Sequence, residues 1–428
     1  MPRDTPAPMP YRAFFSRLAH TPEDSLWRNA DFLRLFIANT LSSLGTAVSL
    51  MALPLTAVGL LNASATEMGI LAACEMLPFI TIGLPAGVWI DRSSKKHLAV
   101  LFNLVAAAGL ALVPLGYETD LLSMGVLYVV GFIVSMAEAV GGSAMQVLVT
   151  LLVGRDRLVL ANSKLSASTS VAQICGPALA ALLISWIGAP LAVSVDAVSF
   201  VIAALLIGSI GLRERVAAHA GASVATQMKE GLMLVWRTPM LRGLVAVVAA
   251  WIIMSDAFRA LYVLHAARNL GLSEAAIGFI NTLGALGGLA GAPLAHFAER
   301  RWGMRAGLVA GVALSSLGYL LYALPEGGGV EVRLIAGLAL FLLNAGGTLY
   351  VINYLSLRLA VTPDGLLGRM VTSMRFATIL PGPIGTIALG HAADTVGLPP
   401  VFAGLGVCCL FVAICAWRWL PEQVPARG

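Results

Sequence analysis

Several ionisable side chains stand inside long apolar stretches of this 428-residue chain. A charged side chain at the centre of a bilayer costs about 2.5–3.5 kcal/mol on insertion scales, so such residues mark proton relays or substrate pathways. A carboxylate in an apolar cavity is desolvated, which favours its protonated form, and alternating exposure can then couple proton release to substrate movement. The residues that we predict to couple protons and substrate are Glu75, Glu138, Asp256 and Arg259.

The two glutamates lie at different depths of their apolar stretches. Glu138 is near the middle of the run 121–153, where a proton-carrying role is favoured. Glu75 lies eight residues past Glu67, roughly 12 Å along a helix that rises 1.5 Å per residue. That depth also suits a structural, hydrogen-bonded role, so both interpretations of Glu75 stay open.

Asp256 and Arg259 are three residues apart, so they share one face of a helix and could neutralise each other. This spacing favours a structural or outer-gate ion pair over a proton carrier. A second arginine in an apolar stretch, Arg375, has two interpretations of equal weight. Its long side chain could reach toward the cytoplasm or line a cavity.

The elements that hold these residues must be membrane helices. The chain is 58% hydrophobic and 11% charged, whereas soluble domains carry roughly 45–50% apolar and about 25% charged residues. A span takes about 20 apolar residues, and runs of this length are far longer than barrel strands. The sequence predicts an all-α membrane protein with twelve spans, at 32–61, 67–90, 97–116, 121–153, 161–187, 190–212, 240–268, 274–298, 305–324, 334–360, 366–391 and 398–420.

The distribution of Lys and Arg predicts the orientation of these spans, because cytoplasmic loops retain positive charge. With the first tail inside, all of the 27 Lys and Arg residues fall in or beside cytoplasmic segments except Arg259, Arg268 and Arg333. Both tails, 1–31 and 421–428, are therefore predicted to be cytoplasmic, in a bacterial plasma membrane. The net charge of +5 follows from this sidedness, so it indicates no nucleic-acid site. Residues 1–31 contain no apolar segment typical of a cleavable signal peptide.

The chain also contains an internal duplication. Three short matches recur in the same order and at a nearly constant separation: Ser64–Gly69 with Ser273–Gly278, Asp91-Arg92 with Glu299-Arg300, and Gly176-Pro177 with Gly382-Pro383. We interpret 32–212 and 240–420 as two six-helix bundles joined by a cytoplasmic linker at 213–239. Two such halves form a central cavity that can open to either side of the membrane.

The loop between the second and third spans carries a recognisable signature. It reads Gly87-Val-Trp-Ile-Asp91-Arg92-Ser-Ser-Lys95-Lys96 and resembles the G-x-x-x-D-R-x-G-[RK]-[RK] loop of the major facilitator superfamily, with Ser94 where the family prefers glycine. The wider runs Leu77–Gly87, Ser42–Gly45 and Ala52–Leu55 resemble the bacterial macrolide-type efflux pumps and the enterobactin exporter. The resemblance covers residues 30–420.

This resemblance implies a cytoplasmic gate. Asp91 would approach the N-terminus of the eleventh helix near Asp364, where the exposed N–H groups favour an anion by about 0.3–1 kcal/mol, and up to ~2 when partly buried. The contact would exist only while the cytoplasmic side is closed, although a purely topogenic basic loop is the alternative. The basic residues of the loop would pair with carboxylates or lipid phosphates. The full predicted gate motif is Gly87, Asp91, Arg92, Lys95 and Lys96, with Glu299 and Arg300 in the second half.

A second family pattern, the small-residue motif of helix 5, is literal here only at Gly176 and Pro177. Small residues allow helix backbones to approach closely, and a proline inside a helix frees a carbonyl one turn earlier. Because the pair recurs at Gly382 and Pro383, we predict a hinge or packing role in both halves. Because only these two positions match the family motif, the pattern gives moderate support for export rather than import.

These features predict a secondary active transporter that works by alternating access. The favoured function is proton-coupled efflux of hydrophobic or amphipathic small molecules by a monomer in the bilayer, as in multidrug resistance. A siderophore or metabolite exporter, or a facilitator, is the alternative of the same fold, and a non-transporting receptor is the alternative of another class. No phosphate-binding loop, metal-ligand spacing or cofactor motif is present, so the sequence predicts neither an enzyme nor an ATP-driven pump.

Overall fold

The computed structural model describes residues 26–83, 89–90, 92–212, 214, 224–325, 327, 329–362 and 366–420, and within these ranges the regular structure is entirely helical. Ten of the described helices are long and apolar enough to cross a membrane. One of them, Glu274–Tyr322, has 49 residues and consists of two helices that meet at Gly303, where φ is 84°. Together with the 17-residue helix Ala65–Thr81, they account for the twelve predicted spans.

The first six spans follow one another through short connections. A 3₁₀ turn, Leu26–Arg28, precedes span 1. The spans are Ala30–Leu60 (span 1), Ala65–Thr81 (span 2), Lys95–Glu118 (span 3), Met124–Val153 (span 4), Leu158–Ile187 (span 5) and Ala189–Gly208 (span 6). Spans 1 and 4 each contain a π-helical turn, at Thr56–Leu60 and Glu138–Gly142.

The last six spans follow the linker and again alternate in direction. Span 7 is Pro239–Arg268 and span 10 is Val330–Ala360. Spans 8 and 9 are the two parts of Glu274–Tyr322, on either side of Gly303. Span 11 consists of two helices, Leu367–Ile379 and Gly382–Val396, and span 12 is Leu398–Trp419.

Because each span reverses the direction of the chain, Ala30 and Trp419 lie at the same end of the bundle. We call this end the inner end, and we call the opposite end the outer end. The pattern of positive charge predicts that the inner end is cytoplasmic.

The predicted linker contains a helix, Val224–Arg237, which packs against span 11 near the inner end. Gly231 allows this close approach, since a Cβ atom there would lie well within contact distance of the carbonyl oxygen of Arg369. Glu230 also forms an ion pair with Arg369. The linker is thereby attached to the span whose N-terminus the predicted gate would contact.

Candidate functional site

The structure brings the four predicted coupling residues together. Glu75 comes from span 2, Glu138 from span 4, and Asp256 with Arg259 from span 7. Glu75 interacts electrostatically with Arg259, Asp256 and Glu138, and Glu138 interacts with Arg259. Residues of both six-helix groups therefore form one charged cluster between the halves, with Arg259 as its cation.

Arg259 is paired within its own helix. Its Nη2 atom donates a hydrogen bond to Oδ1 of Asp256 at 2.5 Å, as the three-residue spacing predicts. The Asp256 side chain is only 12% exposed, whereas that of Arg259 is 72% exposed. Arg259 interacts with residues of the opposite half, so this exposure means that it projects into a space between the halves that water can enter. A cation exposed to lipid at this depth would be far more costly.

Two glycines lie beside the charged cluster. A Cβ atom on Gly131 of span 4 would lie 3.1 Å from Cγ of Glu75, so the glycine lets this side chain pack closely against span 4. A Cβ atom on Gly382 of span 11 would overlap Cε of Met76 of span 2, and it would lie at an ordinary contact distance, 3.9 Å, from Oδ2 of Asp256. Gly382 therefore lets Met76 pack against span 11 beside the ion pair of span 7.

Glu138 begins the π-helical turn of span 4 and is exposed. A π turn is an α-helix with one extra residue, and such turns occur frequently at functional sites. The turn continues through Gly141, which packs against Phe102 of span 3, and Gly142, which has open space around it. Sequence reasoning placed Glu138 at mid-depth but missed the π turn, for which the adjacent glycines are the available signal.

An aromatic cluster anchors the outer part of span 7. The ring of Phe258 packs edge-on against Tyr319, Tyr322 and Phe402, with ring centroids 5.1–5.4 Å apart. The hydroxyl of Tyr322 donates a hydrogen bond to the carbonyl oxygen of Tyr262 at 2.8 Å. Offset and edge-on aromatic pairs stabilise a fixed arrangement. The cluster thus fixes the helix at Phe258, and the next residue, Arg259, points about 100° around the helix from it.

Span 5 carries a polar stripe that sequence reasoning missed. Asn162, Ser166 and Gln173 are exposed and lie on one face of the helix. That face lies between the side that packs on span 1, where Gly176 contacts Ala47, and the side that packs on span 8. Polar side chains in a span face protein or water rather than lipid. The stripe therefore lines the same space between the halves, from the inner end to mid-depth.

The two Gly-Pro pairs differ in structure. Span 5 continues without a break through Pro177, and Gly176 serves close packing on span 1. Span 11 is interrupted, since its first helix ends at Ile379 and its second begins at Gly382, with Pro383 in the first turn.

The predicted gate motif is described in part, because Gly87 and Asp91 lie outside the described residues, as does Asp364. Ser94 caps the N-terminus of span 3 and accepts a hydrogen bond from the N–H of His97 at 3.3 Å. Its φ of −66° is one that any residue adopts, so the backbone does not require glycine there. The N–H groups of Lys95 and Lys96 donate to the carboxylate of Glu214, each at 2.7 Å. Among the exposed residues of the inner end are Arg92, Glu299 and Arg300.

A carboxylate from the segment that follows span 6 binds the backbone of this loop. Glu214 accepts from two backbone N–H groups at a helix N-terminus, where an anion is favoured. The Nζ atom of Lys96 also donates to the carbonyl oxygen of Ile210 at 2.6 Å. These contacts tie the loop to the start of the predicted linker.

Comparison with known proteins agrees with this architecture. The family model described as "Major Facilitator Superfamily" matches residues 35–262. The chain is 28% identical over 404 residues to the multidrug efflux pump Tap of Mycolicibacterium fortuitum, covering 90% of this chain and 94% of the pump. It is 27% identical over 148 residues to macrolide efflux protein A of Streptococcus pyogenes, covering 34% of this chain and 36% of that protein.

The fold is also similar to that of solved transporters. A crystal structure of a mutant of the nucleoside transporter NupG superimposes with a TM-score of 0.77 at 13% identity, covering 91% of this chain and all of that one. The family match spans more than half of the chain, and it agrees with the twelve helices and with the loop after span 2. The protein belongs to the major facilitator superfamily, and it resembles the drug-efflux members of that family.

Proposed function

We propose that this transporter exports hydrophobic or amphipathic small molecules by alternating access, driven by proton antiport. The observation that carries the proposal is the charged cluster of Glu75, Glu138, Asp256 and Arg259, in which carboxylates of one half lie within electrostatic range of an ion pair of the other. A proton-coupled transporter needs titratable groups at the place where the halves move against each other, because only there does their environment change during the cycle.

The cluster can couple protons to movement through competition for Arg259. Asp256 is a fixed partner on the same helix, whereas Glu75 and Glu138 belong to the other half. When the halves separate around this point, Glu138 and Glu75 lose some of their attraction to Arg259. A carboxylate in an apolar cavity that lacks a cation favours the protonated form. Proton uptake would therefore accompany one half of the cycle and proton release the other.

The substrate class is supported by the walls of the space and by the relatives. Span 5 presents Ser166 and Gln173 among apolar side chains, and a few polar groups on a mainly apolar surface are typical of sites for small organic ligands. Relatives of nearly the same length are named multidrug efflux pumps. Nothing in these comparisons supports a non-transporting receptor.

We place the inner end in the cytoplasm of a bacterial cell and treat the transporter as a monomer. The positive charge of the inner loops supports this orientation. In the described structure the outer end is closed by contacts between the halves, while the polar stripe of span 5 and Arg259 are exposed. A substrate would therefore enter this state from the cytoplasm or from the inner leaflet.

The test is transport by purified protein in proteoliposomes, with a hydrophobic fluorescent cation as the probe and an imposed pH gradient. We expect the gradient to accelerate transport by the native protein, and Glu138→Gln to remove that acceleration. A matched control is Glu331→Gln, which changes an exposed carboxylate at the outer end of span 10.

Each alternative has its own outcome in this assay. Equal rates with and without the gradient would leave a facilitator. Transport of a catecholate siderophore but not of the cation would favour the siderophore exporter. Binding of the cation without any flux would favour a receptor and contradict the proposal.

A further inference from the structure

The outer end of span 11 reaches across to the other half through one carboxylate. Oδ1 of Asp394 accepts a hydrogen bond from the N–H of Ala65 at 2.9 Å, and Oδ2 accepts from the N–H of Thr66 at 2.8 Å. Oδ2 also accepts from the Thr66 hydroxyl at 2.5 Å. Asp394 and the first turn of span 2 are more than 300 residues apart in sequence, so this contact joins the two halves directly.

This carboxylate completes the N-terminus of span 2. The first N–H groups of a helix lack partners within the helix. At span 2 the Ser64 hydroxyl accepts from the N–H of Glu67, and the Glu67 carboxylate accepts from the N–H of Ser64. That capping box leaves the N–H groups of Ala65 and Thr66, and Asp394 accepts from both. Within the described structure, the four N–H groups of residues 64–67 are satisfied only with the help of the other half.

The backbones of spans 2 and 11 also approach each other closely at Gly69 and Gly390, and we call this contact the outer seam. A Cβ atom on Gly390 would lie 2.5 Å from the carbonyl oxygen of Ala65, and one on Gly69 would lie 2.6 Å from that of Thr386. Thr386, Gly390 and Asp394 follow each other at intervals of four residues, so they share one face of span 11. The glycines bring the helices into contact, and Asp394 stands at the outer end of that contact.

The geometry points to Asp394 as an outer-end latch, a positioning residue that sets how often the outer end of the transporter opens. The arrangement mirrors the gate that the family resemblance implies at the inner end. There Asp91, in the predicted loop between spans 2 and 3, would approach the N-terminus of span 11. Here Asp394, near the end of span 11, binds the N-terminus of span 2. This inference rests on the proposed alternating access.

The two latches act in opposite directions on one equilibrium. The contact of Asp394 exists only while the outer end is closed, because its donors belong to the other half. Loss of the Asp394 charge therefore favours the outer-open state, and loss of the Asp91 charge favours the inner-open state. A charge at a helix N-terminus together with charge-assisted hydrogen bonds corresponds to a shift of roughly tenfold in the ratio of the two states.

The test measures that ratio in the full-length protein. Spin labels are attached at Asp120→Cys and Leu324→Cys, two exposed outer-end positions in opposite halves, after Cys74, Cys175, Cys408, Cys409 and Cys415 have been replaced by alanine. Electron–electron distance measurements should show mainly the short, outer-closed distance in this background. Asp394→Asn should raise the population of the longer distance by roughly tenfold, and Thr66→Ala, which removes one donor, should raise it by less.

Three controls separate a latch from a loss of stability. Glu331→Gln removes an outer-end charge that lies elsewhere and should leave the distances unchanged. Asp394→Glu keeps the charge and should restore most of the short distance. Asp91→Asn combined with Asp394→Asn should return the ratio toward that of the parent protein. If Asp394→Asn fails to fold, the distance distribution of Thr66→Ala tests the latch in the same assay.

An unchanged distance distribution in Asp394→Asn, or in Thr66→Ala if that variant has to decide, would overturn the proposal. The measurement uses neither substrate nor a gradient, so it can succeed where the transport assay fails. Conversely, a pH-driven transporter with unchanged distances would leave the proposed function in place and remove only the latch.

Discussion

The outer and inner ends of the bundle are held by different kinds of contact. At the outer end, spans 2 and 11 meet backbone to backbone at Gly69 and Gly390, and Asp394 adds hydrogen bonds. At the inner end, a described contact between the same two spans is the Arg375 guanidinium, whose carbon lies 5.9 Å from the centre of the Phe79 ring. Glycines let two helix backbones pack closely because no side chain stands between them. Two long side chains, in contrast, can change conformation and keep their contact when the helices shift.

This difference indicates that the outer end resists separation of the two halves more strongly than the inner end does. Interiors are close-packed and rearrange between discrete arrangements rather than deforming gradually. The outer seam is such a packed arrangement, so opening it requires the whole seam to separate. The charged cluster lies between the two ends, where its groups change their surroundings whichever end opens.

The largest effect is expected from filling the outer seam. In Gly390→Leu the new side chain would meet the carbonyl oxygen of Ala65, because even its Cβ atom would lie 2.5 Å away. Overpacking costs about 1–3 kcal/mol, so the population of the outer-closed state should fall by about 5- to 150-fold, and transport should fall with it. Accessibility of a cysteine at the outer end to a membrane-impermeant thiol reagent measures the change.

The matched control for this prediction is Gly404→Leu. Gly404 also lies in an apolar span of the second half but has no atom near the position of an added Cβ. Equal accessibility in the Gly390 and Gly404 variants would show that the seam does not hold the outer end closed.

An intermediate effect is expected from removing the π turn of span 4. Deletion of Gly142 should convert the turn into regular α-helix, because a π turn contains one residue more than an α-helical turn. The flanking helices keep their register, so the protein should still fold, but Glu138 should be displaced. Since small displacements of reacting groups are costly, we expect gradient-driven transport to fall by at least about tenfold.

The control for this deletion is removal of Val129, which lies in the regular α-helical part of span 4. That deletion should turn the outer part of the helix by about 100° and disrupt folding. If deletion of Gly142 left proton coupling intact, the π turn would have no role in placing Glu138.

The smallest effect is expected at the inner end. Phe79→Leu removes the aromatic face beside Arg375, and exposed cation–π contacts contribute about 0.5–1 kcal/mol. The balance of states should therefore shift by only about 2- to 5-fold, as measured by spin labels at the inner-end positions Asp156→Cys and Arg301→Cys. A shift as large as that of Gly390→Leu would contradict the contrast between the ends.

Much of the fold could be predicted from the sequence, because a bilayer requires helices of a minimum length and positive charges collect on one side. The ionisable residues in the spans were equally visible, since charge is rare at that depth, and the structure brings Glu75, Glu138, Asp256 and Arg259 together. Their roles in coupling stay a prediction. The bounds of the two halves and the gate contact of Asp91 also stay predictions.

The remaining features depend on which residues meet across the halves. The seam at Gly69 and Gly390 joins positions far apart in sequence, and single glycines are frequent in all spans. Asp394 lies just beyond the predicted span 366–391 and matches no motif, because its partners are backbone groups of span 2. The π turn at Glu138 adds one residue to a helix, a difference that apolar periodicity does not resolve.

The most direct test of the central claim is a measurement of protons released when substrate binds to the purified protein. In weakly buffered detergent solution, addition of the hydrophobic cation should release protons from the native protein, as reported by a pH-sensitive dye. Glu138→Gln should release measurably fewer protons while still binding the cation, which tryptophan fluorescence can follow. Binding of the cation by the native protein without any proton release would contradict the account.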